Sequence, residues 1–154
     1  MINNKEHHNL SAGRLIEELS KAAHIYFQNS FKEYSIGHAQ VRTLHLIAHN
    51  EGLTQIELSD YLNLDKSSIT SQLSILEKNG YITKRISKID ARSHHIYITE
   101  NTREILKPLK EIYISWTDTL LEDFNESERK QVFLLLKKMQ KNVQNKLQEI
   151  KEQD

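Results

Sequence analysis

The sequence predicts a mostly α chain, α+β in class, in which a single β-hairpin follows four helices and precedes two more. Three observations carry that expectation. Apolar residues recur at helical spacing over most of the 154 residues. Two short runs, Tyr81-Ile82-Thr83-Lys84-Arg85 and His94-His95-Ile96-Tyr97-Ile98-Thr99, are instead rich in β-branched and aromatic residues, with a charged stretch between them. Four Gly and one Pro are too few for an all-β fold with many tight turns.

The first helix runs from Ser11 to Phe31, with Leu15, Leu19, Ala22, Ala23, Tyr26, Phe27 and Phe31 apolar. Ser35-Ile36-Gly37 breaks it. A second helix spans residues 38–49 through Val41, Leu44, Ile47 and Ala48, and Asn50-Glu51-Gly52 ends it, Gly52 suiting a left-handed C-cap. A third helix starts at Leu53. Thr54 with Glu57 fits a capping box, and Leu53 with Leu58 fits a hydrophobic staple. Asn63-Leu64 is a turn, and Asp65 is the next N-cap. The fourth helix runs from Lys66 to about Asn79, where Gly80 stops it. At about 100° per residue, Ile69, Leu73 and Leu76 share one face, while Ser67, Ser71, Ser74 and Lys78 lie opposite, flanked by Ser68 and Thr70. After the hairpin, Thr99 caps a fifth helix through Ile105, Leu106, Leu109, Ile112, Tyr113, Trp116, Leu120 and Leu121. Pro108 falls well inside it and is expected to bend or divide it. Asn125 with Glu128 makes a further capping box for a last helix through Val132, Leu135, Leu136, Met139, Val143, Leu147 and Ile150.

A helix-turn-helix followed by such a hairpin is a winged helix, a module that sits on duplex DNA. The formal net charge is zero, but its distribution is uneven. Residues 50–65 carry four acids and no Lys or Arg, whereas residues 66–99 carry six cations against two acids. The fourth helix offers short polar side chains to base edges: Ser67, Ser68, Thr70, Ser71, Ser74 and, nearer the core side, Gln72. Ser and Thr read bases ambiguously, because a hydroxyl both donates and accepts. Lys66 and Lys78 are placed for phosphates at either end, and the helix N-terminus is expected to add its partial charge and free N–H groups. In the hairpin, Lys84, Arg85, Lys88 and Arg92 are the candidate DNA contacts, Arg92 for the minor groove and Asp90 to orient its guanidinium.

Leu53-Thr54-Gln55-Ile56-Glu57-Leu58-Ser59-Asp60-Tyr61-Leu62, Ser67-Ser68-Ile69-Thr70, Leu76-Glu77-Lys78-Asn79-Gly80-Tyr81-Ile82 and Asp90-x-Arg92-x-x-x-Ile96-x-Ile98-Thr99 together resemble the MarR-type winged-helix regulators of bacteria and archaea. Length and helix order match as well. The resemblance implies a homodimer through the first, fifth and sixth helices, a palindromic operator near a promoter, and repression often relieved by a small ligand. It divides the single regulator domain, residues 1–154, into a DNA-binding lobe at about 38–99 and dimerisation helices at 9–34 and 100–152. The apolar content of those flanking helices supports a second chain independently, since a core around residues 38–99 buries only part of it. The effector pocket implied by position involves Tyr26, Ser30, Tyr34, His38, His45, Tyr113 and Trp116, side chains that equally suit core packing.

The chain has no Cys, which excludes disulfides, thiolate metal sites and the thiol-based oxidant sensing of some relatives. Eight His are present, and His45 with His49 have i, i+4 ligand spacing, but no His on the fifth helix completes a tetrahedral set. No metal or cofactor is therefore expected. Nucleophile elbows and phosphate-binding glycine loops are missing, which argues against an enzyme. No apolar run approaches a membrane span and the first residues do not read as a signal peptide, so a cytoplasmic protein is expected. The alternative of a different class is a winged-helix protein–protein module without DNA binding, which the neutral net charge and acidic third helix favour and the cations of 66–99 oppose.

Overall fold

The computed structural model describes residues 11–86 and 94–152. The elements are α1 (Ala12–Ser30), a 3-10 turn (Lys32–Tyr34), α2 (His38–His49), β1 (Leu53–Thr54), α3 (Gln55–Leu62), α4 (Lys66–Lys78), β2 (Ile82–Ile86), β3 (His94–Ile98), α5 (Glu100–Leu120) and α6 (Glu126–Lys151). The chain divides into two compact units, Met1–Trp116 and Thr117–Asp154.

Local chemistry sets most of the boundaries. The Ser11 hydroxyl caps α1 through the Arg14 N–H. Thr54 and Glu57 make a reciprocal capping box at α3, as do Asn125 and Glu128 at α6. Asn63 closes α3 in the left-handed region (φ 50°), where Asn is one of the few tolerated residues, and Leu64 N–H returns to the Ser59 carbonyl at 3.0 Å. Gly80, at φ 74°, ends α4: its N–H reaches Glu77 O, and Tyr81 N–H reaches Leu76 O.

Two expectations are corrected. Leu53-Thr54 is not the start of the third helix but a short strand, antiparallel to β3, with Leu53 opposite Ile96 and Thr54 opposite His95. The hairpin is thus part of a three-stranded sheet in the order β1-β3-β2. The second correction concerns division at Pro108: the helix is continuous from Glu100 to Leu120, with Pro108 inside it. Thr99 caps α5 as expected, its hydroxyl accepting the Thr102 N–H at 3.4 Å, and it also donates to Gly80 O at 2.7 Å, tying the helix start to the end of α4.

One core binds the first unit together. Val41, Leu44, Ile47, Leu58, Ile69, Leu73, Leu76 and Leu109 are fully buried, with Phe27, Phe31, Ile82, Ile96 and Ile98 beside them. Each such side chain contributes roughly 1.5–3 kcal/mol of transfer free energy. α2 and α4 bury their apolar stripes against each other and the sheet, which fixes which side of α4 faces outward. In the second unit α6 leaves Phe133, Leu134, Leu135, Leu136, Met139, Val143, Leu147 and Ile150 exposed. Among the described residues, no helix is long and apolar enough to cross a membrane.

Candidate nucleic-acid interface

α4 presents its polar side as the sequence pattern requires. Ile69, Leu73 and Leu76 are buried, so Lys66, Ser67, Thr70, Ser71, Ser74 and Lys78 are exposed and Ser68 is half-buried. Lys66, Ser67, Thr70, Ser71 and Ser74 line one open groove.

The start of α4 is organised by Asp65. Its Oδ1 accepts the Ser67 N–H at 2.8 Å, the Ser68 N–H at 2.9 Å and the Ser67 hydroxyl at 2.5 Å. Its Oδ2 accepts the Ser68 hydroxyl at 2.6 Å. The Ser67 and Ser68 hydroxyls, with the backbone N–H groups, hold the carboxyl well below the usual carboxylate range. Here the structure corrects the expectation of free N–H groups at this helix end: the Asp65 carboxylate already occupies those of Ser67 and Ser68. Thr70 is also engaged. Its hydroxyl donates to Lys66 O at 2.6 Å and accepts from Gln55 Nε2 at 2.6 Å. Gln55 is the residue that sequence reasoning missed. Its signal is positional: it opens α3, and the helix-turn-helix folds that end of α3 across α4.

Gln72 belongs to the interior rather than to the groove. Its Oε1 accepts the Thr43 hydroxyl at 2.5 Å, and Thr43 is completely buried in α2. The Thr43 hydroxyl is directed to Ala39 O as well, at 3.2 Å. Gln72, half-buried, therefore joins α2 to α4 through its side-chain carbonyl.

On the sheet, Lys84 lies 2.6 Å from Glu77, and the Arg85 guanidinium stacks over Tyr97 at 4.6 Å from the ring centroid. Both cations are anchored by partners within the sheet and α4. His95 Nδ1–H donates to Gly52 O at 2.6 Å, and Gly52 N–H donates to Ile96 O at 2.8 Å, so β1 is held at the edge of β3. Lys88, Asp90 and Arg92 lie outside the described residues.

The seven residues placed near an effector pocket do not behave alike. Tyr26, His38, His45, Tyr113 and Trp116 join Phe27 and Phe31 in one aromatic cluster. His38 stacks on Phe27 at 4.7 Å and 10° between planes, and Tyr26 lies 5.0 Å from Trp116. Burial pushes the Tyr113 phenol up to about 12. Burial lowers the His38 pKa, with help from Arg42 and His24, and lowers that of His45, with help from His49 and Lys110. Tyr34 contributes its backbone instead, its carbonyl accepting the Tyr81 hydroxyl at 2.9 Å. Ser30 is half-buried in the last turn of α1. His45 and His49 do not converge as a ligand pair, because His49 Nδ1–H donates to His45 O at 2.7 Å while the His45 ring faces Tyr113.

Comparison with known proteins places this geometry in context. A family model described as MarR family matches residues 36–94. The HTH-type transcriptional regulator SarZ of Staphylococcus aureus is 31% identical over 103 residues, 67% of this chain and 67% of that protein. A solved MarR protein from Peptoclostridium difficile superposes with a TM-score of 0.79 at 28% identity, covering 97% of each chain. The Staphylococcus aureus MepR–DNA complex shares the fold, with a TM-score of 0.76 at 21% identity over 86% of this chain and 98% of that one.

Proposed function

The chain belongs to the MarR family, and we propose that it regulates transcription by binding duplex DNA as a homodimer. The observation that carries this reading is the split of α4: a fully buried apolar stripe on one side, and hydroxyls flanked by Lys66 and Lys78 on the other. An α-helix of that design enters a major groove with short polar side chains at the base edges and cations at the phosphates. In a two-fold dimer the two copies of α4 stand about one helical turn of DNA apart, which calls for a palindromic operator. The exposed apolar residues of α1 and α6 support the dimer, and the naming of SarZ as a transcriptional regulator supports the role. The reading further includes a single regulator domain, residence in the cytoplasm, and repression relieved by a small molecule seated near Tyr26, Ser30, Tyr34, His38, His45, Tyr113 and Trp116.

Titration against promoter duplexes at several salt concentrations tests the DNA reading. Binding that weakens linearly in log–log form is expected, because phosphate contacts release counterions. Lys78→Ala should lower that slope by about two, one for each subunit of the dimer, while leaving sequence preference in place. Arg92→Ala should weaken binding with the dimer intact. Failure to bind any promoter fragment would turn the assignment toward a protein–protein module.

A further inference from the structure

Three hydroxyls on the leading half of α4, those of Ser67, Ser68 and Thr70, have lost the ambiguity that Ser and Thr usually have. A hydroxyl carries one hydrogen. Ser67 directs its hydrogen to Asp65 Oδ1, Ser68 to Asp65 Oδ2 and Thr70 to Lys66 O. The direction of these bonds follows from the acceptors, since an ionised carboxylate and a backbone carbonyl have no hydrogen to give. The Asp65 carboxyl is held in its ionised form by the same bonds. What remains outward on the exposed Ser67 oxygen is lone pairs, and Thr70, which already accepts from Gln55 Nε2, keeps one. We propose that Asp65, which takes the Ser67 hydrogen, and the Lys66 carbonyl, which takes that of Thr70, make Ser67 and Thr70 acceptor-only readers that select exocyclic amino groups in the DNA major groove.

The major-groove edges that match are the N6 amino group of adenine and the N4 amino group of cytosine. Guanine O6 and N7, adenine N7 and thymine O4 are acceptors, and facing them these oxygens gain no hydrogen bond. Asp65 touches no base in this scheme. It is a positioning residue that sets the polarity of its neighbours. The inference rests on the DNA reading above and narrows it from duplex DNA to a chemical edge.

The full-length protein is first used to select duplexes from a randomised pool, and the selection is repeated with Ser67→Ala. The base pair whose preference disappears in that variant marks where Ser67 reads. At that pair, two synthetic duplexes separate the polarities. One lacks the amino group, with purine in place of adenine or 2-pyrimidinone in place of cytosine. The other lacks the purine N7 acceptor, with a 7-deazapurine. Wild type should bind the amino-deleted duplex about three- to tenfold more weakly, the worth of one hydrogen bond, and the 7-deaza duplex unchanged. Ser67→Ala should be insensitive to both. Asp65→Ser keeps a good N-cap but frees the Ser67 hydrogen, so amino sensitivity should shrink and 7-deaza sensitivity should emerge. Its helix content and melting are checked against wild type, and comparing ratios between duplexes cancels its change in net charge. Loss of affinity with the 7-deaza duplex in wild type, indifference to the amino group, or identical selections by wild type and Ser67→Ala would overturn the inference alone. Absence of any selected duplex would overturn it together with the DNA reading.

Discussion

α4 and α6 are both amphipathic, yet they dispose of their apolar residues in opposite ways. α4 buries Ile69, Leu73 and Leu76 completely, whereas α6 leaves Leu134 69% exposed and Phe133, Leu136 and Val143 at 50% or more. The difference lies in partners. The stripe on α4 meets α2 and the sheet within its own chain, so its polar side is free to be functional. The stripe on α6 is rich enough to form an interface, and a patch of that extent marks an association surface. The lobe around α4 packs its apolar stripe within one chain; α6 does not.

The largest expected effect tests the completeness of the lobe. Leu73→Ala opens a cavity in the fully packed core and should cost about 2–5 kcal/mol in chemical denaturation, followed at fixed protein concentration. Next comes the incomplete side. Met139→Glu puts a charge into the exposed stripe of α6 and should weaken self-association by about tenfold or more in sedimentation, with helix content retained. A monomer–dimer balance unmoved by this change would remove α6 from the interface and level the contrast. Third, Gly52→Ala probes the edge of the lobe. Gly52 sits at φ +90°, and an added Cβ would lie 3.4 Å from the Tyr97 hydroxyl. Strain of about 1–2 kcal/mol is expected as a lowered melting temperature, with no loss of dimer.

The smallest effect concerns pH. His38 and His45 have folded pKa values below their ordinary 6.5. The unfolded chain therefore binds protons first as pH falls, so the stability that the neutral imidazoles confer is present above 6.5 and is lost downward through the folded pKa values. Thermal melts between pH 7 and 5 should show a decline that His38→Gln with His45→Gln flattens. An equal slope in the double variant would assign the acid sensitivity elsewhere.

Much of the lobe is legible in the sequence because its signals are local. Thr54 with Glu57, Asp65, Gly80 and Asn125 with Glu128 each mark a helix end through bonds to residues two to five positions away. β1 is illegible for the opposite reason. Only Leu53 and Thr54 form it, and their partners Ile96 and His95 come from the far side of two helices and a strand. Division at Pro108 does not occur because local chemistry is outweighed there by packing: the next residue, Leu109, is fully buried in the core. Within the site, periodicity places Ser67 and Thr70 outward, but it assigns no direction to a hydrogen bond. The orientation of the Ser67 and Ser68 hydroxyls, the bond from Gln55 to Thr70 and the inward turn of Gln72 toward Thr43 all depend on which side chains the fold brings within reach.

The end of α4 is fastened to the segment that follows α1. Asn79 Nδ2 donates to Ser35 O at 3.2 Å, and the Tyr81 hydroxyl donates to Tyr34 O at 2.9 Å. Ser35 itself holds a left-handed backbone, φ 54°, that only a limited set of neighbours would maintain. These two bonds act as a short strut between the segment that follows α1 and the end of α4. Asn79 Nδ2 also donates to Ile75 O at 2.9 Å, so the amide that closes the last turn of α4 is the same one that reaches back to Ser35.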